Sequence, residues 1–188
     1  CTNVDYIKYD KKIPEIIEIK DFLKQILPNK NKRKYVLILM SSILSGYTLD
    51  ERFNIFTGCG SNGKSKFIEL FLLSIGDYGI TLPISLLTHK RCSSNQATPE
   101  IAATKGKRFC ILQEPENNDT INVGMMKEYT GGDKIMARAL FKEPVEFKPQ
   151  FKMILTCNKL PDVPSSDKGT WRRIKVVEFN SVFTDNPN

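Results

Sequence analysis

The sequence has 188 residues, 40% of them hydrophobic and 26% charged; this is enough apolar material for one domain or one and a half, and it excludes a disordered chain. Lys and Arg (28) outnumber Asp and Glu (21), and the net charge of +7 suits a polyanionic partner without demanding one. Five scattered cysteines with no C-x-x-C pair argue against a disulfide framework or a zinc site and for a reducing, intracellular setting, and the lone histidine, His89, reads as an ordinary surface residue.

Residues 1–12 are polar and Lys-rich, a tail or linker, and a start at Cys1 rather than Met suggests a piece of a longer protein. PEIIEIKDFLKQIL (14–27) sets Ile17, Phe22, Leu23, Ile26 and Leu27 at helical intervals, with Pro14 in the first turn and Pro28 as a stop. A second helix is expected over 32–45, ending near Gly46. The apolar run at 35–47 is too short for a bilayer, which takes about 20 residues, and no signal peptide is visible, so no membrane partner is expected. Residues 1–49 thus read as a helical entry segment, part of an oligomerising collar.

From residue 50 the pattern alternates. A strand at 52–56 leads into GCGSNGKS and a helix to about Ile75; 76–100 is loop-rich; KRFCILQ (107–113) is a buried strand; 121–130 is a short helix. Two β-like runs within 134–148 flank Lys142-Glu143-Pro144, a hairpin tip. FKMILT (151–156) and IKVVEF (174–179) are further buried strands. Buried strands separated by helices predict an α/β domain over 50–188 with a mostly parallel sheet.

Gly58, Gly63, Lys64 and Ser65 fit G-x-x-x-x-G-K-[ST] at a strand-to-helix turn. Glycines let backbone N–H groups approach phosphates closely, and the helix N-terminus adds partial positive charge. Gly58, Gly60, Ser61, Asn62, Gly63, Lys64 and Ser65 are therefore nucleotide-binding candidates, with Lys64 reaching the β- and γ-phosphates and Ser65 ligating Mg²⁺. Glu114 and Glu116 follow the 110–112 strand, where a carboxylate could hold the Mg²⁺ shell or orient water. Asn158 ends the 151–156 strand and could touch the γ-phosphate; a simple turn before Leu160-Pro161 is the rival reading.

GCGSNGKS, RFCILQEPE, KEYTGGDKIMAR, FKMILTCNKLP and GTWRRI, in this order, resemble a superfamily 3 helicase. More narrowly, they resemble the helicase part of the primase-helicases of poxviruses and other large DNA viruses. The resemblance covers about residues 50–180. It implies a modified AAA+ P-loop fold, ATP and Mg²⁺ as ligands, a homo-hexameric ring, single-stranded DNA as partner, an upstream primase domain, and a replication site in the host-cell cytoplasm. Lys64 and Ser65 match its first motif and Glu114 the acidic position of its second, where Gln113 replaces a frequent second acid and leaves Glu116 as a rival base. Asn158 matches the polar sensor. Arg173 matches the arginine finger that enters a neighbouring subunit's site, with Arg172 beside it; read without the resemblance, a plain surface ion pair is the usual fate of an exposed arginine. Lys142 and Phe141 match a DNA-contacting hairpin tip, with Lys134 and Arg138 weaker candidates for DNA, the subunit interface or the nucleotide.

The resulting expectation is an ATP-dependent, ring-forming DNA helicase domain. The rivals are a P-loop ATPase for DNA packaging or protein remodelling, and a nucleotide-binding assembly module with little turnover.

Overall fold

The computed structural model describes residues 2, 4–48, 50–90, 96–113, 115 and 119–185. At its centre is a run, β1 (Phe53–Thr57), buried at every position. A strand covered on both faces must pair on both edges, and β1 does so in parallel with β6 (Lys152–Cys157) and β7 (Ile174–Glu178). β3 (Phe109–Leu112) pairs with β6, and β2 (Gly79–Leu82) with β3, giving the order β2-β3-β6-β1-β7. The mostly parallel sheet expected from the sequence is thus a five-stranded sheet in which every pairing is parallel.

The pleat divides the core in two. Phe53, Ile55, Cys110, Leu112, Met153 and Leu155 face a cluster that includes Met125, Met126 and Tyr129 of α6 (Val123–Thr130). Phe56, Phe109, Ile111, Ile154 and Val177 face the other way, onto α1 (Pro14–Ile26), α2 (Lys30–Ser42) and α3 (Lys64–Ile75). Phe56, Phe67 and Phe179 form a tilted aromatic group with centroids 5.3–6.2 Å apart; truncating one of these fully buried rings would cost about 3–5 kcal/mol. The helices of the entry segment therefore share one core with α3 and the sheet. Asn54 lies on this face too, and its Oδ1 accepts from the Tyr35 hydroxyl of α2 at 2.7 Å.

Three boundaries differ from the sequence reading. α2 starts at Lys30 rather than 32, because the Asn29 side chain caps it by accepting from the Asn31 and Lys32 N–H groups. Its last residues, 43–45, tighten into a 3₁₀ turn. The 76–100 stretch, expected as loop, contains β2 and two single-turn helices, α4 (Ser85–Thr88) and α5 (Pro99–Ala102). β2 is short and sits at the sheet edge, so it lacks the apolar run that marks the central strands.

The predicted hairpin is present: β4 (Ile135–Ala137) pairs antiparallel with β5 (Val145–Phe147). α7 (Lys168–Arg173) leads into β7. It is capped by Asp167, which accepts from the Gly169 and Thr170 N–H groups. The Lys127 ammonium, then the Gly169 N–H and the Thr170 hydroxyl, hold the Asp167 carboxyl well below the usual carboxylate range. Among the described residues no helix is long and apolar enough to cross a membrane.

Candidate nucleotide-binding site

The loop leaving β1 has little room. At Gly58 (φ 146°) an added Cβ would lie 2.4 Å from the Phe179 carbonyl oxygen and 2.7 Å from Asn62 Nδ2. At Gly63 (φ 78°) it would lie 2.5 Å from Ile26 Cγ2. Both positions demand glycine. Gly60 borders open space, and Ser61 is left-handed at φ 57°. Asn62, expected to face the nucleotide, is turned inward and 4% exposed. Its Nδ2 donates to Cys59 O (2.5 Å) and Phe179 O (3.3 Å), and its Oδ1 accepts from Lys64 N (3.2 Å). Asn62 therefore staples the loop to itself and to the end of β7. α3 begins at once with Lys64, so its positive end lies at the loop.

Lys64 is 7% exposed. Its Nζ donates to Cys157 O (2.6 Å), Asn158 Oδ1 (3.3 Å) and Gly58 O (3.4 Å). Two candidates drawn from motifs far apart in sequence, Lys64 and Asn158, thus meet at the ends of β1 and β6. Thr57 Oγ1 adds a bond to Asn158 O at 3.2 Å. A desolvated ammonium costs free energy unless strong acceptors surround it, and these carbonyls supply them. Exposed Ser65 lines an adjoining cleft of about 410 Å³ with Thr81, Gln113 and Thr156. Gln113, standing where a second acid is frequent, is therefore beside Ser65. Glu114 and Glu116 lie outside the described residues. Among the described residues no three His, Cys, Asp or Glu side chains cluster to hold a metal. The buried lysine and the helix N-terminus suit the phosphates of a triphosphate, and the Ser65 hydroxyl is an oxygen that a cation carried in with it could take.

The two arginines are elsewhere. Phe53 pairs with Ile174 and Thr57 with Glu178, so Arg173 abuts the start of β1 while the loop leaves its end. Five residues at about 3.3 Å each separate them by roughly 16 Å. Both arginines converge on Glu51, which the sequence reading did not single out: Arg172 Nη2 and Arg173 Nη2 lie 2.6 and 2.8 Å from its Oε2. Arg173 also donates to Gly169 O at 3.0 Å and is 13% exposed, whereas Arg172 is 62% exposed. Trp171, between them and the α7 cap, is half exposed and donates Nε1–H to Ser165 O.

The hairpin tip carries Phe141, fully exposed at φ 57°, and exposed Lys142, whose N–H closes a turn on Ala139 O. Lys134 is paired with Glu146 across the hairpin at 2.7 Å. Arg138 O accepts from the Thr98 N–H and Arg138 N–H donates to Thr98 Oγ1, which ties the hairpin to the start of α5.

The chain is 51% identical over 183 residues to "Putative helicase L207/L206" of Acanthamoeba polyphaga mimivirus, covering 97% of this chain and 19% of that protein. It is 33% identical over 172 residues to "Putative helicase 022R" of Frog virus 3, covering 89% and 18%. The chain thus spans about a fifth of the length of the curated relatives it matches. Its fold matches the apo C-terminal region of NrS-1 with a TM-score of 0.68 at 19% identity, over 98% of this chain and 41% of that one. The resemblance read from the motifs, to the helicase part of replication proteins of large DNA viruses, is borne out by these relatives. A family model matches residues 56–173, from the end of β1 to the end of α7, and the chain belongs to that family, described as a family of unknown function, DUF5906.

Proposed function

We propose that this chain is the ATP-hydrolysing motor domain of a viral DNA replication helicase. It would work as a ring, with nucleotide between subunits and single-stranded DNA in the channel. One observation carries the reading: Lys64 Nζ lies 2.6 Å from Cys157 O and 3.3 Å from Asn158 Oδ1, so the phosphate-loop lysine and the sensor asparagine share one pocket. Lys64 would exchange carbonyl partners for phosphate oxygens, Ser65 would hold Mg²⁺, and Asn158 would hydrogen-bond the terminal phosphate or the attacking water. Bound Mg²⁺ supplies charge neutralisation at the phosphate oxygens. Glu114 is the first candidate to orient the water and Glu116 the second.

The roughly 16 Å between the loop and the arginines supports a finger acting between subunits, since neither arginine can serve its own loop. Exposed Arg172 is as well placed to reach out as Arg173. The hairpin tip offers Lys142 to a DNA phosphate and Phe141 to a base. An upstream primase domain and a host-cytoplasmic replication site complete the reading.

The test is ATP turnover by the full-length protein with and without single-stranded DNA, strand displacement on a forked duplex, and mass in solution. Stimulated turnover with displacement by a ring is the expected result. Turnover without displacement favours a packaging or remodelling ATPase, and binding without turnover favours an assembly module.

A further inference from the structure

One flank of the loop has no role in the reading above. The sheet order sets β6 and β3, with Asn158 and Gln113, on one side of β1, and β7 on the other. Lys64 Nζ reaches toward the β6 side, which is where the terminal phosphate of a triphosphate would sit. The rest of such a ligand then leaves across the loop toward β7.

There the chain after β7 doubles back over the loop. Phe179 N–H donates to Thr57 O (2.8 Å), Ser181 Oγ to the Gln25 and Ile26 carbonyls, and Phe183 N–H to Ser61 O (2.7 Å). This strap fixes Phe183 beside the second loop glycine: a Cβ on Gly63 would lie 3.2 Å from ring atom Cε2. Yet Phe183 stays 43% exposed and Val182 73% exposed. An aromatic residue held by its backbone and left open to water is suited to stacking, because burying its face against a partner ring is favourable and its backbone is already ordered.

We infer that Phe183 is the platform on which the base of the bound nucleotide stacks, with Val182 at its edge. The inference rests on residues 58–65 being a phosphate loop. A π-face takes any base, so the platform confers affinity with little choice among bases and a modest preference for the larger purines.

The test uses the full-length protein and two ligands, Mg-ATP and magnesium tripolyphosphate, which has phosphates and no base. Phe183→Ala should weaken ATP binding about tenfold or more and leave tripolyphosphate binding unchanged. Phe183→Trp should keep ATP affinity, and its added fluorescence should be quenched by ATP and not by tripolyphosphate. Equal weakening of both ligands by Phe183→Ala, or unchanged ATP affinity, overturns the platform and makes the strap a purely structural brace. Wild type that binds neither ligand overturns the phosphate-loop reading itself, and the platform with it.

Discussion

Glu51 offers a perturbation whose size follows from its two ion pairs. Its Oε2 accepts from Arg172 and forms an ion pair with Arg173, and its backbone sits at φ 46°, a left-handed conformation that costs a non-glycine residue about 1 kcal/mol. Removing its charge by Glu51→Gln leaves Arg173 nearly buried without a counter-ion, its Nε already lacking a partner. A fully buried pair broken in this way costs about 3–5 kcal/mol; because Glu51 is 30% exposed, water reaches it, and about 2 kcal/mol is the better figure. For a chain of this length that lowers Tm by roughly 4–8 °C. The pair with Arg172, 62% exposed, should contribute under about 0.5 kcal/mol. Urea titrations of Glu51→Gln, Arg172→Ala, Arg173→Ala and the two doubles give both coupling energies. Coupling to Arg173 should exceed coupling to Arg172 by about 1 kcal/mol or more. Equal couplings, or no loss in Glu51→Gln, would refute the view that Glu51 is the anchor of Arg173.

Lys64→Met should fold as well as wild type, because it replaces a buried charge with an apolar chain of similar length. It should lose Mg-ATP affinity by about 10²-fold: a charge pair at 3 Å in an effective dielectric of 20 contributes about 5.5 kcal/mol, less roughly 2–3 kcal/mol for the carbonyl bonds given up. Isothermal titration checks both ligand affinity and competence. Mixing Lys64→Ala with Arg173→Ala protomers should recover part of the ATPase, since some interfaces take an intact loop from one and an intact finger from the other. If mixed rings form and stay inactive, Arg172 is tested next. Lys142→Ala should keep basal turnover, lose unwinding, and lower the salt slope of single-strand binding by about 0.7 per lost contact; unwinding at the wild-type rate would make the hairpin structural. Among the described cysteines, exposed Cys59 should alkylate in the native protein while buried Cys110 and Cys157 do not, burial pushing the Cys110 thiol far up. Mg-ATP should slow the Cys59 reaction, as read by mass spectrometry.

The central strands were legible because a strand buried on both faces is mostly apolar, as in FCIL and the MIL of β6, with polar members such as Asn54 and Lys152 each holding a hydrogen-bond partner. The loop was legible because its Gly-Lys-Ser spacing is local, between a strand and a helix, although the contacts that force the glycines, at Phe179 and Ile26, are distant in sequence. β2 was not: GITL is short, begins with glycine, and pairs on one edge only. Asn62 looked like a ligand residue because its side chain's partner at Phe179 lies 117 positions away. The same distance problem hid Glu51, whose bond to Arg172 spans 121 positions. Ion pairs of this kind leave no periodicity to read.

β6 deserves a mechanical reading. The hairpin enters at one end of it and Asn158 follows at the other, about 20 Å away for its six residues. It is hydrogen-bonded along both edges, to β3 and to β1, so it can neither buckle nor stretch by itself. A push on the tip arrives at the phosphate end as a displacement, as through a rod clamped in a frame. On the proposed reading, stiffness rather than any chain of side-chain contacts would carry the signal. A proline placed within 152–157 would remove ladder bonds at the centre of the sheet and so cost the fold along with the connection.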